Sequence, residues 1–96
     1  MLNKDITITI DAVGLLCPLP VLKLKKALKN CNEGEIVKLI ASDPAASIDV
    51  PHFCHESGNI FIRDEVEKNF LNANFTSSEH KKPRAYFIQK RNKGSR

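Results

Sequence analysis

Apolar and polar residues alternate near the start of the chain. Ile6, Ile8 and Ile10 are separated by threonines and followed by Asp11. Successive side chains of a strand point to opposite faces of a sheet, so this period of two predicts a half-buried strand. Gly14 then interrupts the pattern, and we expect the strand to end before it.

The next segment has the apolar spacing of a helix. Val21, Leu24, Leu28 and Cys31 recur every three or four positions, which is the spacing of one helical face. The lysines of the same segment lie largely on the other faces. Residues 32–34 end in a glycine, as is typical of the end of a helix. The pattern predicts an amphipathic helix.

A buried strand and a second helix are predicted next. The run EIVKLIAS at 35–42 is mostly apolar, which favours a strand buried on both faces. Asp43 and Pro44 resemble a helix N-cap followed by proline at the first helical position. A shorter helix is therefore expected over about 45–57. Pro51 is expected to interrupt or restart it, because proline lacks the N–H that a helix uses.

The rest of the chain predicts two more strands and an unusual connection. Gly58 closes the second helix, and residues 59–64 and 84–90 alternate in polarity as strands do. The connection between them, 65–83, is too long for a plain hairpin loop. Strand extensions around a loop, or a short extra helix at about 66–73, both fit this stretch.

The order β-α-β-α-β-β predicts a fold of the α/β (α+β) class. We expect a two-layer sandwich in which two helices cover one face of a four-stranded mixed sheet, while the other face is partly exposed. The chain is long enough for one core only. Residues 1–91 are expected to form this single domain, with 65–83 as an atypical insertion or loop and 92–96 as a basic tail.

Charge is distributed unevenly along the chain. The net charge is +4, yet seven of the fifteen Lys and Arg residues lie in 81–96, which has no acid. A basic end suits an anionic partner such as RNA or an acidic protein face, although it is more often a solvated tail. Candidate residues for docking an acidic partner are Lys23, Lys25, Lys26, Arg84, Lys90 and Arg91.

The chain has no recognisable export or membrane signal. Its first residues, MLNKDITITIDA, alternate in polarity and lack the apolar block of a signal peptide. No apolar run approaches the roughly 18 residues that cross a bilayer. We therefore expect a cytoplasmic protein without a membrane partner.

The three cysteines are best considered as individual thiols. An odd number with no close pair is a poor disulfide framework, and the chain has no C-x-x-C zinc motif. The ligands of the HFCH run at 52–55 cannot easily converge from one helix, so no metal site is predicted. Cys31 ends the apolar stripe and is expected in the core. Cys54 is expected in the core too, or as a partner that resolves a disulfide with Cys17.

Cys17 lies immediately before the first predicted helix. It is followed by Pro18 and Pro20, which the first turn of a helix tolerates because its N–H groups have no partners inside the helix. We expect Cys17 at the N-cap and Pro18 at the first helical position. The positive end of the helix dipole should then lower the pKa of the thiol and make Cys17 nucleophilic. The alternative is that Cys17 is buried and packs as a small apolar side chain.

Three sequence blocks resemble one family. The block DAVGLLCPLP at 11–20 is similar to the Cys-Pro-x-Pro signature of the TusA/SirA family of sulfur carriers. The segments ASDPA at 41–45 and DVPHFC at 49–54 resemble the part of that family that follows its second strand. The closing YFIQK at 86–90 resembles its last strand. These blocks span nearly the whole chain in the order and spacing of the family.

The resemblance implies a specific activity. Cys17 would be the catalytic thiol that accepts a persulfide sulfur from a cysteine desulfurase and passes it to an acceptor protein, with Gly14, Pro18 and Pro20 supporting the start of the helix. The implied route leads to 2-thiolation of a tRNA wobble uridine. Relatives serve molybdenum-cofactor assembly or sulfur oxidation. No cofactor is implied, and a carrier that exposes its thiol to successive partners is expected to be a monomer.

A function of a different class also fits the sequence. The chain could be a regulatory module that binds RNA or protein through its sandwich and basic end. The stretch 65–83 is longer than the corresponding connection of the family, and loops near a working surface help to select partners. Sequence alone therefore leaves the donor, the acceptor and the pathway open.

Overall fold

A computed structural model describes residues 6–67 and 83–91. Within these residues the chain forms six elements in the predicted order. The strands are β1 (Ile6–Ala12), β2 (Ile36–Ala41), β3 (Ile60–Val66) and β4 (Arg84–Gln89), and the helices are α1 (Leu19–Lys29) and α2 (Ala46–Ser57).

The four strands form one mixed sheet in the order β1-β2-β4-β3. β1 and β2 are parallel, with Ala12 opposite Ala41, and α1 makes the crossover that parallel strands require. β4 lies between β2 and β3 and is antiparallel to both. The two parallel strands therefore end at the same edge of the sheet, which brings the segments that follow them together.

The main core lies between the sheet and the two helices. Leu24 of α1 and Val50 of α2 are fully buried against Val37 and Leu39 of β2 and Ile88 of β4. Each such side chain contributes roughly 1.5–3 kcal/mol through burial. The predicted sandwich of two helices on one face of a four-stranded mixed sheet is confirmed.

The opposite face of the sheet carries a smaller apolar cluster. Ile40, Ala85 and Phe87 are buried there. The Arg63 guanidinium lies 4.1 Å from the centre of the Phe87 ring, a distance at which a cation–π attraction operates. This mixture of apolar and charged groups agrees with the predicted partial exposure of this face.

A bulge in β1 modifies the predicted alternation. The register with β2 shifts between Ile6 and Ile8. Ile8 and Ile10 pack against the main core, whereas Ile6 pairs with Ile36 and lines the opposite face. One extra residue in a strand reverses the face of every side chain before it, so the isoleucines do not share one face.

The second helix is continuous, which corrects the predicted break at Pro51. α2 passes through Pro51, and the buried side chains Ala46, Val50 and Cys54 hold it against the core. Its N-cap is Ala45 and not Asp43, because one turn of backbone precedes the helix. Gly58 ends it as predicted, in the left-handed region with φ 81°.

The connection between β3 and β4 is described only at its two ends. β3 continues to Val66, two residues beyond the predicted 64, and Glu67 donates its backbone N–H to the Pro83 carbonyl at 2.9 Å. This fits a strand extension at the start of the connection. The expected loop or extra helix otherwise lies outside the described residues, as does the basic tail 92–96.

Candidate functional site

The loop after β1 is held against the loop after β2. Gly14 donates its N–H to Ser42 Oγ at 2.9 Å, and Asp11 Oδ1 accepts the Val13 N–H at 3.0 Å. Gly14 has φ 89°, a region that favours glycine over residues with a Cβ. These contacts follow from the parallel pairing of β1 and β2, and they place residues 13–18 beside residues 42–45.

The first helix begins two residues after Cys17, which corrects the predicted helix start. Pro18 is the N-cap and Leu19 the first helical residue. Pro18 and Pro20 have no N–H, and the Leu19 N–H donates to the Leu16 carbonyl at 2.9 Å. Three consecutive residues therefore offer no spare N–H to the Cys17 sulfur, and the helix dipole acts on it from one residue further away.

Two aspartates hold Cys17 from the other loop and helix. The Cys17 N–H donates to Asp43 Oδ2 at 2.7 Å, and its thiol donates to Asp49 Oδ2 at 2.5 Å. Asp43 also accepts the Ala45 N–H at 3.1 Å through its other oxygen, and that turn leads into α2. Asp49 lies in the first turn of α2, where a carboxylate is favoured by the helix dipole.

These contacts raise the pKa of Cys17, contrary to the sequence-based expectation. The largest cause is the hydrogen bond from the thiol to Asp49; partial desolvation follows, and the negative charges of Asp49 and Asp43 add to it. A carboxylate next to a thiol disfavours the thiolate. Cys17 is therefore a neutral thiol in this arrangement, and it is exposed to solvent.

Asp49 is the site residue that sequence reasoning missed. It lies in the segment 49–54 that carries the family resemblance, yet nothing in the local pattern points to Cys17. Asp43, which the sequence suggests only as a helix cap, also lies beside Cys17. The signal for Asp49 is topological: parallel β1 and β2 bring the start of α2 next to the start of α1.

Several exposed apolar side chains lie close in sequence to Cys17 or to Asp49. Leu16 is 70% exposed and Ile48, the neighbour of Asp49, is 71% exposed. Leu19 and Leu22 on α1 are about half exposed. Single exposed apolar residues are ordinary, but a group of them suits contact with another macromolecule.

The other two cysteines lie in the core. Cys31 and Cys54 are both buried, as predicted for core residues. Burial raises the pKa of Cys54 to about 12, so it is a poor partner for resolving a disulfide. His52 and His55 are exposed on α2, and the described residues contain no group of His, Cys, Asp and Glu arranged to hold a metal ion.

The predicted docking residues fall into two groups. Lys23, Lys25 and Lys26 are exposed on α1, and Arg91 is exposed after β4. Lys90 donates to the Leu28 carbonyl at 2.8 Å and so caps the end of α1. Arg84 forms an ion pair with Asp64 at 2.9 Å. The last two side chains thus have partners within the fold, whereas the lysines of α1 face solvent.

Comparisons with known proteins agree with this fold. A family model described as sulfurtransferase TusA matches residues 8–72, a range that includes Cys17, Asp43 and Asp49. The crystal structure of the SirA-like protein from Desulfitobacterium hafniense superposes with a TM-score of 0.62 at 22% identity, covering 90% of this chain and 100% of that one. At that identity the likeness supports the fold. Neither described helix has the length and apolar composition of a membrane span.

Proposed function

Because the chain belongs to the sulfurtransferase TusA family, we propose that Cys17 accepts a persulfide sulfur from a desulfurase-type donor and relays it to an acceptor protein. The observation that carries this proposal is the exposure of Cys17, since Cys31 and Cys54 are buried. A sulfur relay requires a thiol that two successive proteins can reach. Only Cys17 meets that requirement among the three cysteines of the chain.

The proposed reaction is a transfer between thiols. The Cys17 thiolate attacks the outer sulfur of the donor persulfide, and the donor S–S bond breaks. The inner sulfur of the donor leaves as a thiolate and takes up a proton, while Cys17 becomes a persulfide. In the second half of the cycle, an acceptor thiolate attacks the outer sulfur on Cys17 and restores the Cys17 thiol. No metal or organic cofactor takes part in either step.

The route served by this relay is proposed from the family. We assign the sulfur to 2-thiouridine formation in tRNA, and we place the protein in the cytoplasm as a monomer that meets a donor and an acceptor in turn. Exposed lysines on α1 also support an alternative function as a module that binds RNA or protein. Those two functions differ in their dependence on the Cys17 sulfur.

A labelling experiment separates the two functions. Purified protein is incubated with a cysteine desulfurase and ³⁵S-cysteine, and the label on the chain is measured for wild type, Cys17→Ser and Cys31→Ala. We expect label on wild type and on Cys31→Ala but none on Cys17→Ser, because only the exposed thiol can meet the donor. No label on any variant, with equal RNA binding by all of them, would instead favour the binding module.

A further inference from the structure

The surroundings of Cys17 are acidic on the side that faces α2. Asp49 Oδ2 accepts a hydrogen bond from the Cys17 thiol at 2.5 Å, and Asp43 Oδ2 accepts one from the Cys17 backbone N–H at 2.7 Å. Among the described residues, every group that acts on the Cys17 pKa raises it.

Asp43 and Asp49 also repel the negatively charged sulfur species of the proposed reaction. A persulfide is a stronger acid than the parent thiol, so an attacking or departing sulfur carries negative charge near Asp49. The Asp49 carboxylate repels an anionic sulfur that lies next to it. A donor must therefore compensate the carboxylate charge before sulfur can move to Cys17.

We propose that Asp49 is a specificity-determining latch: it holds Cys17 as the neutral thiol in the free protein and releases it when a partner presents a cationic side chain to the carboxylate. This inference rests on the proposed sulfur relay and adds the chemistry of its partners. A Lys, Arg or protonated His of the donor or acceptor would pair with Asp49 in the docked complex. Thiols of molecules without such a cation would exchange with Cys17 slowly.

Asp49 acts here by holding the thiol proton and not by removing it. A carboxylate is a much weaker base than a thiolate, so the proton stays on the sulfur in this hydrogen bond. When a partner cation pairs with Asp49, the hydrogen bond to the thiol is lost and the proton leaves to water. The resulting thiolate then attacks the outer sulfur of the donor, whose inner sulfur departs and is protonated by solvent.

The latch can be tested with small reagents that differ in charge. Methanethiosulfonates form a mixed disulfide with a thiol, and a trimethylammonium-ethyl reagent carries the cation that a neutral methyl reagent lacks. The rate of Cys17 modification by each is measured for wild type, Asp49→Asn and Asp49→Glu. Glu56→Gln, which removes an exposed carboxylate near the other end of α2, is the matched control for net charge.

Wild type is expected to prefer the cationic reagent more strongly than Asp49→Asn does, by a factor of about 3 or more, because one nearby charge pair accounts for this difference. Asp49→Glu should retain the preference, since the charge is kept, and Glu56→Gln should match wild type. Iodoacetamide, which is neutral, should alkylate Asp49→Asn faster than wild type at pH 7. Equal reagent preference and equal alkylation in wild type and Asp49→Asn would overturn the latch.

Sulfur loading distinguishes failure of the latch from failure of the relay. Cysteamine persulfide carries an ammonium group, whereas N-acetylcysteamine persulfide is neutral. Wild type should take sulfur faster from the cationic donor, and Asp49→Asn should lose most of this difference. If wild type takes no sulfur from any donor but shows the reagent preference, the relay fails while the latch geometry stands. If loading proceeds without any dependence on Asp49, the latch fails and the relay stands.

Discussion

At the scale of single residues, the chemistry of this protein depends on the neighbours of one sulfur atom. A thiol at a helix start is commonly expected to be a thiolate, but Cys17 precedes that start and donates to Asp49. Pro18 and Pro20 remove the N–H groups that would otherwise stabilise an anion. In the proposed latch, the reactivity of Cys17 therefore depends on what approaches Asp49.

Cysteine alkylation by iodoacetamide should distinguish the three thiols of the native protein. Cys17 is exposed, whereas Cys31 and Cys54 are buried. Since burial raises the pKa of Cys54 to about 12, we expect alkylation of Cys17 alone in the folded state and of all three cysteines in denaturant. Peptide mapping by mass spectrometry provides the measurement. Native alkylation of Cys54 at a rate similar to that of Cys17 would contradict the described core.

The pH dependence of the same reaction tests the direction of the Cys17 shift. Because Asp49 and Asp43 raise the pKa of Cys17, the thiolate is a small fraction at neutral pH. Below the pKa, the alkylation rate should rise about tenfold for each pH unit. In Asp49→Asn the same profile should move to lower pH. A plateau in wild type already at pH 7 would show that the thiol is ionised and would contradict this environment.

At the scale of elements, the order and type of every described helix and strand follow from local patterns. The spacing of apolar residues changes clearly between β1 and α1. Leu24 and Leu28 reach the core at helical spacing, whereas Ile8 and Ile10 reach it at every second position, as in a strand. The bulge in β1 and the continuity of α2 through Pro51 were not predictable, since both depend on packing against neighbours. Asp49 was missed for the same reason: its contact with Cys17 joins two elements far apart in sequence.

The end of α2 provides a stability test. Gly58 has φ 81°, and a Cβ built on it would have nothing within 4 Å, so substitution there costs conformational energy without a clash. We expect Gly58→Ala to lower the free energy of unfolding by about 1–2 kcal/mol, because residues with a Cβ disfavour this region. Gly58→Asn should cost less, and Glu56→Ala serves as a control. Urea unfolding followed by circular dichroism measures the change; a loss no larger than that of Glu56→Ala would contradict the assigned backbone.

At the scale of the whole molecule, the site lies at the edge of the sheet where β1 and β2 end. The ends of β1 and β2 carry the two loops, and α1 and α2 begin beside them. Cys17 is hydrogen-bonded to the second loop through Asp43. Lys23, Lys25 and Lys26 follow within two turns of α1, a rise of roughly 6–10 Å along the helix. A partner that docks here would meet a basic helix and an acidic pair side by side.

Charge reversal on α1 tests the docking part of the account. We expect the triple variant Lys23→Glu, Lys25→Glu, Lys26→Glu to slow sulfur loading from a protein donor by about tenfold at low salt, because steering by complementary charge is lost. Loading from N-acetylcysteamine persulfide should be unchanged, which controls for damage to the fold or the thiol. An equal loss with both donors would show that the lysines act on the fold and not on docking.

The central claim is that the transferred sulfur resides on Cys17. The most direct measurement is mass spectrometry of peptides from protein treated with a cysteine desulfurase and ³⁴S-cysteine, before and after a thiol reductant. The account predicts one additional labelled sulfur on the peptide that contains Cys17, removable by the reductant and absent from the peptides of Cys31 and Cys54. Labelled sulfur on another cysteine, or none on Cys17 under conditions in which the desulfurase itself is loaded, would contradict it.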